Sequence, residues 1–152
     1  MGIFCWSGCT TSAVCQTSAA GQPAESLLFF QKTPCYGTCP AYDAMIYANG
    51  SITYTGYRYA PVQDTVQFCL PKQDLQQLKK DIEALHYTSL QDNYRAQRTD
   101  MPSTYLTFYK EGREAKRIRH QQGGPEALLQ FKGKVEQLFT DLLAKKLAAE
   151  QK

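Results

Sequence analysis

Residues 41–59 read AYDAMIYANGSITYTGYRY, and they carry the clearest structural signal in the chain. Two strand-like runs flank Asn49-Gly50, which is a strong hairpin signal because both central positions of a type I′ turn need positive φ. With these two residues as the whole loop, cross-strand neighbours share a face of the sheet. The predicted core face then carries Met45, Tyr47, Ile52 and Tyr54.

The segments around this hairpin predict an α+β fold. The predicted elements, in chain order, are strands at 27–31, 41–48, 51–59 and 65–70, a helix at 71–86, strands at 104–109 and 115–120, and a helix at 125–149. Both helices have apolar residues at spacings of three and four. Strands grouped between helices, without strict βαβ alternation, favour an antiparallel sheet built from two hairpins and an N-terminal strand. Both amphipathic helices then lie on one face.

Length and charge limit the classes of protein that fit. A chain of 152 residues fits one domain, which we place at residues 24–152. The formal net charge is +3, and the basic residues are scattered along the chain. Nucleic-acid-binding domains concentrate more positive charge on one face, so we expect no nucleic-acid partner.

The first 23 residues form a leader without a charged residue. Residues 10–23 are rich in Ser, Thr, Ala and Gly, which predicts a flexible linker. Trp6-Ser7-Gly8-Cys9 resembles the end of a bacterial lipobox, although Trp6 replaces the usual leucine. One hypothesis makes Cys9 the lipid anchor of an envelope protein whose true start lies upstream. The other is a disordered tail with incidental cysteines.

Residues 34–42, PCYGTCPAY, form the most distinctive motif. They resemble the signature P-C-[FY]-G-x-C-P-x-Y of an uncharacterised bacterial family, a domain of unknown function. In that family a strand, a glycine turn and a Y-x-G strand follow, as Asn49-Gly50 and Tyr54-Thr55-Gly56 do here. The resemblance implies a predicted lipoprotein, in agreement with an anchor at Cys9, and implies no particular activity.

Cys35 and Cys39 allow three hypotheses. In an oxidising compartment they form a structural disulfide that closes a tight loop. The Cys-x-x-x-Cys-Pro pattern also resembles the copper-binding motif of Sco-type thioredoxin-fold chaperones, although a strand rather than a helix is predicted to follow. The third hypothesis is a pair of reduced, buried thiols. With one bridge formed inside the domain, Cys69 has no internal partner.

No arrangement of residues predicts an active site. The two histidines, His86 and His120, lie in no recognisable ligand spacing, and no G-x-S-x-G motif occurs. Asp100, in an irregular segment, is a remote candidate for acid–base work. We therefore predict no catalytic residue, no cofactor and no metal, with Cys35 and Cys39 as the alternative copper or redox site.

The tyrosines of the first hairpin favour core or sheet packing, with an interaction surface as the alternative for those that face outward. Alternation along the second strand turns Tyr57 and Tyr59 outward, and tyrosine is enriched at interfaces. The sequence thus favours a non-enzymatic envelope domain that binds a protein or another envelope component through its sheet. The membrane would be contacted only through the lipid at Cys9. The alternative is a thiol-based copper or redox protein.

Overall fold

The computed structural model describes Cys15, residues 24–98 and residues 100–151. The strands are β1 (Ser26–Lys32), β2 (Tyr42–Tyr47), β3 (Ser51–Gly56), β4 (Thr65–Cys69), β5 (Asn93–Tyr94), β6 (Thr104–Lys110) and β7 (Arg113–His120). The helices are α1 (Lys72–Leu85), α2 (Glu126–Glu150) and a single 3₁₀ turn at Tyr87–Ser89. The predicted α+β fold is confirmed. No helix among the described residues is both long enough and apolar enough to cross a membrane.

One seven-stranded sheet has the order β4-β3-β2-β1-β6-β7-β5. Every neighbouring pair is antiparallel except β5 with β7, which is parallel. The two predicted hairpins and the N-terminal strand form the centre of this sheet. The two-residue strand β5 lies in a segment that we predicted to be irregular. A strand of two residues is too short to show a periodic pattern in the sequence.

The first hairpin differs from the prediction by one residue of register. Ile46 pairs with Ile52, so the loop has three residues rather than two. Gly50, at φ 90°, donates its N–H to the carbonyl of Tyr47 at 3.0 Å, which closes a wider turn. Since side chains alternate along a strand, this one-residue slip moves the whole of β2 to the other face. The prediction that Met45 and Tyr47 face the core is therefore wrong.

The core lies between one face of the sheet and both helices. Fully buried residues of the central strands alternate along the chain, and residues of α1 and α2 complete the same cluster. The sheet contributes Leu28, Phe30, Tyr42, Ala44, Ile46, Ile52, Tyr54, Leu106, Phe108 and Ile118, and the helices contribute Leu78, Ile82, Leu85, Leu128, Phe131, Val135, Phe139 and Leu143. The opposite face of the sheet, called here the outer face, has no described helix packed against it.

Candidate interaction surface

The connections between the strands fall into two groups, one at each end of the sheet. The loops at residues 33–41, 57–64 and 95–103 all lie at one end, because β1, β3 and β5 end there and β2, β4 and β6 begin there. The two tight hairpin turns and the junction of β4 with α1 lie at the other end. We call the first end the tyrosine end, for the side chains that its loops expose.

Exposed large apolar side chains concentrate at the tyrosine end. The described residues include five of them, and four lie in its loops: Tyr36 is 94% exposed, Tyr57 47%, Tyr59 43% and Met101 37%. The fifth, Leu129, lies on α2. Single exposed apolar residues need no explanation, but a cluster at one end of a sheet is typical of a contact surface.

A disulfide shapes the loop that carries Tyr36. The structure contains the predicted Cys35–Cys39 bond, with 5.7 Å between the two Cα atoms, a common value for disulfides. The Gly37 N–H points to the Cys35 sulfur at 3.3 Å. This tight loop turns Tyr36 away from the domain. A shallow depression of about 320 Å³ lies beside it, lined by Pro34, Cys35, Tyr36, Asp100 and Met101.

Backbone hydrogen bonds hold the second tyrosine loop against the first. Tyr57 donates its N–H to the carbonyl of Ala41 at 2.8 Å, and Ala41 donates to the carbonyl of Arg58 at 3.1 Å. Tyr59 has a φ of 61°, in the left-handed region that a tyrosine adopts only at a cost of about 1 kcal/mol. The Arg58 guanidinium lies 5.0 Å from the centre of the Tyr59 ring and donates to its hydroxyl at 3.2 Å. In this conformation the Tyr59 side chain is 43% exposed.

Side chains of the outer face support Tyr57. The Tyr57 hydroxyl donates to one carboxylate oxygen of Asp43 at 3.1 Å, and the Gln31 amide donates to the other oxygen at 2.8 Å. The hydrogen bond to Asp43 raises the pKa of Tyr57, because it stabilises the neutral phenol that donates it. Both oxygens of Asp43 are thus engaged in positioning Tyr57.

Gly56 is required where the second tyrosine loop folds back on β3. A Cβ atom built at this position would lie 1.7 Å from the Val62 carbonyl oxygen and 3.1 Å from the Ala60 Cβ. Only glycine lets the backbone of the loop approach the strand so closely. The glycine of the Tyr54-Thr55-Gly56 run is thereby explained by packing, and so is Tyr54, which is fully buried.

Comparison with known protein families identifies the family of this chain. The model of a family described as a domain of unknown function, DUF6438, matches residues 26–139. The chain belongs to this family. The match begins at the first residue of β1 and ends within α2, so it covers the whole sheet and the tyrosine end of this DUF6438 domain. A search of curated proteins found no match.

A second disulfide lies at the end of the DUF6438 sheet opposite the tyrosines. Cys15 is bonded to Cys69, the last residue of β4, with 5.3 Å between the two Cα atoms. We did not predict this pair, and the signal for it was the third cysteine of the domain, which needs a partner outside residues 24–152. The bond fixes one residue of the leader against the sheet. Cys9, the predicted lipidation site, lies outside the described residues.

The remaining predicted candidates are dispersed in the DUF6438 domain. Among the described residues, no group of three or more histidine, cysteine or acidic side chains is placed to hold a metal ion. The structure thus brings neither His86 nor His120 to the Cys35–Cys39 pair. His86 ends α1 in a left-handed conformation, and the ring of His120 is buried beside α2. Asp100 lines the depression beside Tyr36.

Proposed function

We propose that this DUF6438 domain is a non-enzymatic binding module of the bacterial cell envelope, which engages a protein or another envelope component through its tyrosine end. The observation that carries the proposal is the concentration of four of the five exposed large apolar residues there. Aromatic side chains bury about 150–250 Å² each and dominate the energy of many interfaces. Tyr36, Tyr57 and Tyr59 together offer enough surface to anchor a partner.

The polar groups at this end support binding rather than catalysis. Asp43 is engaged by Gln31 and Tyr57, and Arg58 is engaged by Tyr59. Both groups thus contact aromatic or amide side chains of the domain and help to hold the tyrosine rings in place. Holding the rings before binding lowers the entropy lost when a partner docks.

The two disulfides support a location in an oxidising compartment, as the proposed lipid anchor at Cys9 requires. The Cys15–Cys69 bond joins the leader to the end of the sheet farthest from the tyrosines. An anchor at Cys9 would therefore present the tyrosine end away from the membrane. This polarity suits a tethered domain that captures a partner.

Site-specific photo-crosslinking in cells tests the binding proposal. A photoreactive phenylalanine analogue would replace Tyr36, Tyr57 or Tyr59 in the full chain, and Leu129 serves as a control of similar exposure at 38%. We expect one discrete adduct from the tyrosine positions and none from Leu129. Equal labelling from all four positions, or adducts from Leu129 alone, would refute the proposal.

Membrane fractionation tests the anchor separately. The protein, expressed from its own gene in its native host, should sediment with membranes, and Cys9→Ala should release it to the soluble fraction. Cys15→Ala is the matched control, because it removes a leader cysteine that the structure places in a disulfide. Release by both substitutions, or by neither, would argue against lipidation at Cys9.

The thiol-based alternative has one observation in its favour. The Gly37 N–H that points to the Cys35 sulfur would stabilise a thiolate at Cys35 after reduction. The reduced protein should then bind Cu(I), and a Cys35→Ser variant should not. Retained binding in that variant would remove copper chemistry at this loop from consideration.

A further inference from the structure

Strand β7 has an edge that is mostly open. On one side β7 pairs with β6 along its whole length. On the other side the only described strand is β5, which pairs with Arg119 and His120 alone, and the 3₁₀ turn at Tyr87–Ser89 also contacts β7. Residues 113–118 therefore have no described strand on that side. An open edge presents unpaired N–H and C=O groups to any extended chain that approaches it.

The direction of the backbone groups follows from the bonds that β7 makes to the segment around β5. Arg119 donates its N–H to the carbonyl of Asp92 at 2.9 Å, and Gln121 donates to the carbonyl of Tyr94 at 2.8 Å. Backbone groups of alternate residues point to the same side of a strand. The N–H and C=O of Arg117 therefore point to the open edge.

Positively charged side chains lie along this edge of β7. A depression of about 400 Å³ is lined by Asp92, Tyr105, Glu114, Ala115, Lys116, Arg117 and Arg119. The guanidinium groups of Arg117 and Arg119 lie 5.0 Å and 6.0 Å from the centre of the Tyr105 ring. Neither arginine forms an ion pair within the part of the chain that the structure describes, whereas Lys116 is paired with Asp92 at 2.6 Å. Two positioned guanidinium groups thus remain available to an anion.

The ring of Tyr105 and the hydroxyl of Ser103 restrain these arginines. Arg119 donates from Nε to the Ser103 Oγ atom at 3.0 Å, which leaves its two terminal nitrogens for a ligand. A guanidinium held over an aromatic ring is suited to paired hydrogen bonds with a carboxylate. The arrangement is thus ordered before any ligand arrives.

We propose that residues 113–118 of β7 bind an extended acidic peptide segment as an added strand, with carboxylates on alternate residues contacting Arg117 and Arg119. This inference rests on the proposed function as a binding module and adds a second contact site with a defined partner chemistry. Arg117 and Arg119 form no ion pair among the described residues, so an acidic segment is the partner chemistry that complements them. Strand addition supplies backbone hydrogen bonds, and the arginines supply selectivity.

Fluorescence anisotropy with designed peptides tests the proposal on the oxidised full chain. The probe is a labelled ten-residue peptide of alternating Glu and Val, and its control is the matching Lys–Val peptide. We expect binding of the Glu–Val peptide only. Arg117→Gln and Arg119→Gln should each weaken it about tenfold, the effect of losing one charge-assisted hydrogen bond. Lys79→Gln, an equal charge change on α1, should leave binding unchanged.

A pair of N-methylated peptides separates strand addition from simple charge attraction. One Glu–Val peptide carries N-methyl groups on its Glu residues and the other on its Val residues. Because the Glu side chains must face the arginines, only one of these two sets of N–H groups points toward β7. We expect one methylated peptide to lose binding at least tenfold and the other to retain it.

Two outcomes would overturn the proposal. Equal binding of both methylated peptides, with displacement by dextran sulfate, would show a general anion site without strand addition. No binding of the Glu–Val peptide would exclude the site altogether. If the photo-crosslinks at the tyrosine end were still observed, the proposed function would stand while this inference failed.

Discussion

The buried ring of His120 should make folding stability depend on pH. Its Nε2 atom lies 2.8 Å from the Gly123 carbonyl oxygen, and its Nδ1 atom lies 3.4 Å from the Lys132 ammonium. Nε2 therefore carries the proton, and Nδ1 accepts from Lys132. Burial lowers the pKa of His120, and Lys132 lowers it further, against the opposing effects of the Gly123 hydrogen bond and of Glu136.

The sign and the size of the pH effect on folding stability follow from the binding of one proton to His120. Above a pH of about 6.5 the imidazole is neutral in both the folded and the unfolded chain, and it adds no pH dependence. Below that pH the unfolded chain binds a proton that the folded chain does not. The free energy of unfolding should then fall by up to about 1.4 kcal/mol per pH unit, until the pH reaches the lowered pKa of the folded state.

Urea unfolding between pH 5.5 and 7.5 measures this slope. Far-UV circular dichroism is the suitable signal because the single tryptophan, Trp6, lies in the leader. His120→Gln should abolish the slope below about pH 6.5. His86→Asn should retain it, since Asn tolerates the left-handed conformation of that exposed position. A flat profile for the native chain, or an unchanged slope in His120→Gln, would refute the argument.

Four further predictions concern the packing of Tyr54 and of two glycines, and the disulfide of the tyrosine end. Tyr54→Phe should stabilise the domain by about 1 kcal/mol in urea unfolding, because the buried Tyr54 hydroxyl has no hydrogen-bond partner within the described structure; a loss of stability would reveal one. Gly56→Ala should destabilise it by about 3 kcal/mol, since a Cβ would collide with the Val62 carbonyl. Gly133→Ala, with open space around the new methyl group, should stabilise it by about 1 kcal/mol, and equal effects at the two glycines would contradict the packing. Replacing Cys35 and Cys39 together by Ser should cost about 2 kcal/mol, as expected for a loop with a separation of four residues; an unchanged urea midpoint would argue against the bond.

The sequence predicted the class of fold because that class depends on local signals. The Asn49-Gly50 turn, the leucine spacing of α1 and the order of strands and helices can each be recognised within about 15 residues. Which side chains of β2 face the core of the domain could not be recognised from the local sequence. It depends on whether the loop has two or three residues, and both choices place a glycine at a position of positive φ.

The candidate site was predictable in part for the same reason. Alternation along a predicted strand over residues 51–59 turned Tyr57 and Tyr59 outward, but β3 ends at Gly56, so both are exposed in a loop rather than on a strand. The exposure of Tyr36 depends on the shape of the disulfide loop, which the spacing of Cys35 and Cys39 alone does not determine. The Cys15–Cys69 bond spans 54 residues of sequence. The open edge of β7 is visible only once the sheet is assembled.

The bond between Cys15 and Cys69 also limits the length of the tether between a lipid anchor at Cys9 and the domain. With the anchor at Cys9, six residue steps reach the disulfide, a span of at most about 20 Å. Without the bond, the attachment would be limited only by the contour of the chain to the next described residue, Ala24, which is fifteen steps away and at most about 50 Å. A radius about 2.5 times larger encloses about fifteen times the volume, which dilutes the domain relative to a partner near the membrane. The redox state of one bond would thereby tune the local concentration of the whole domain.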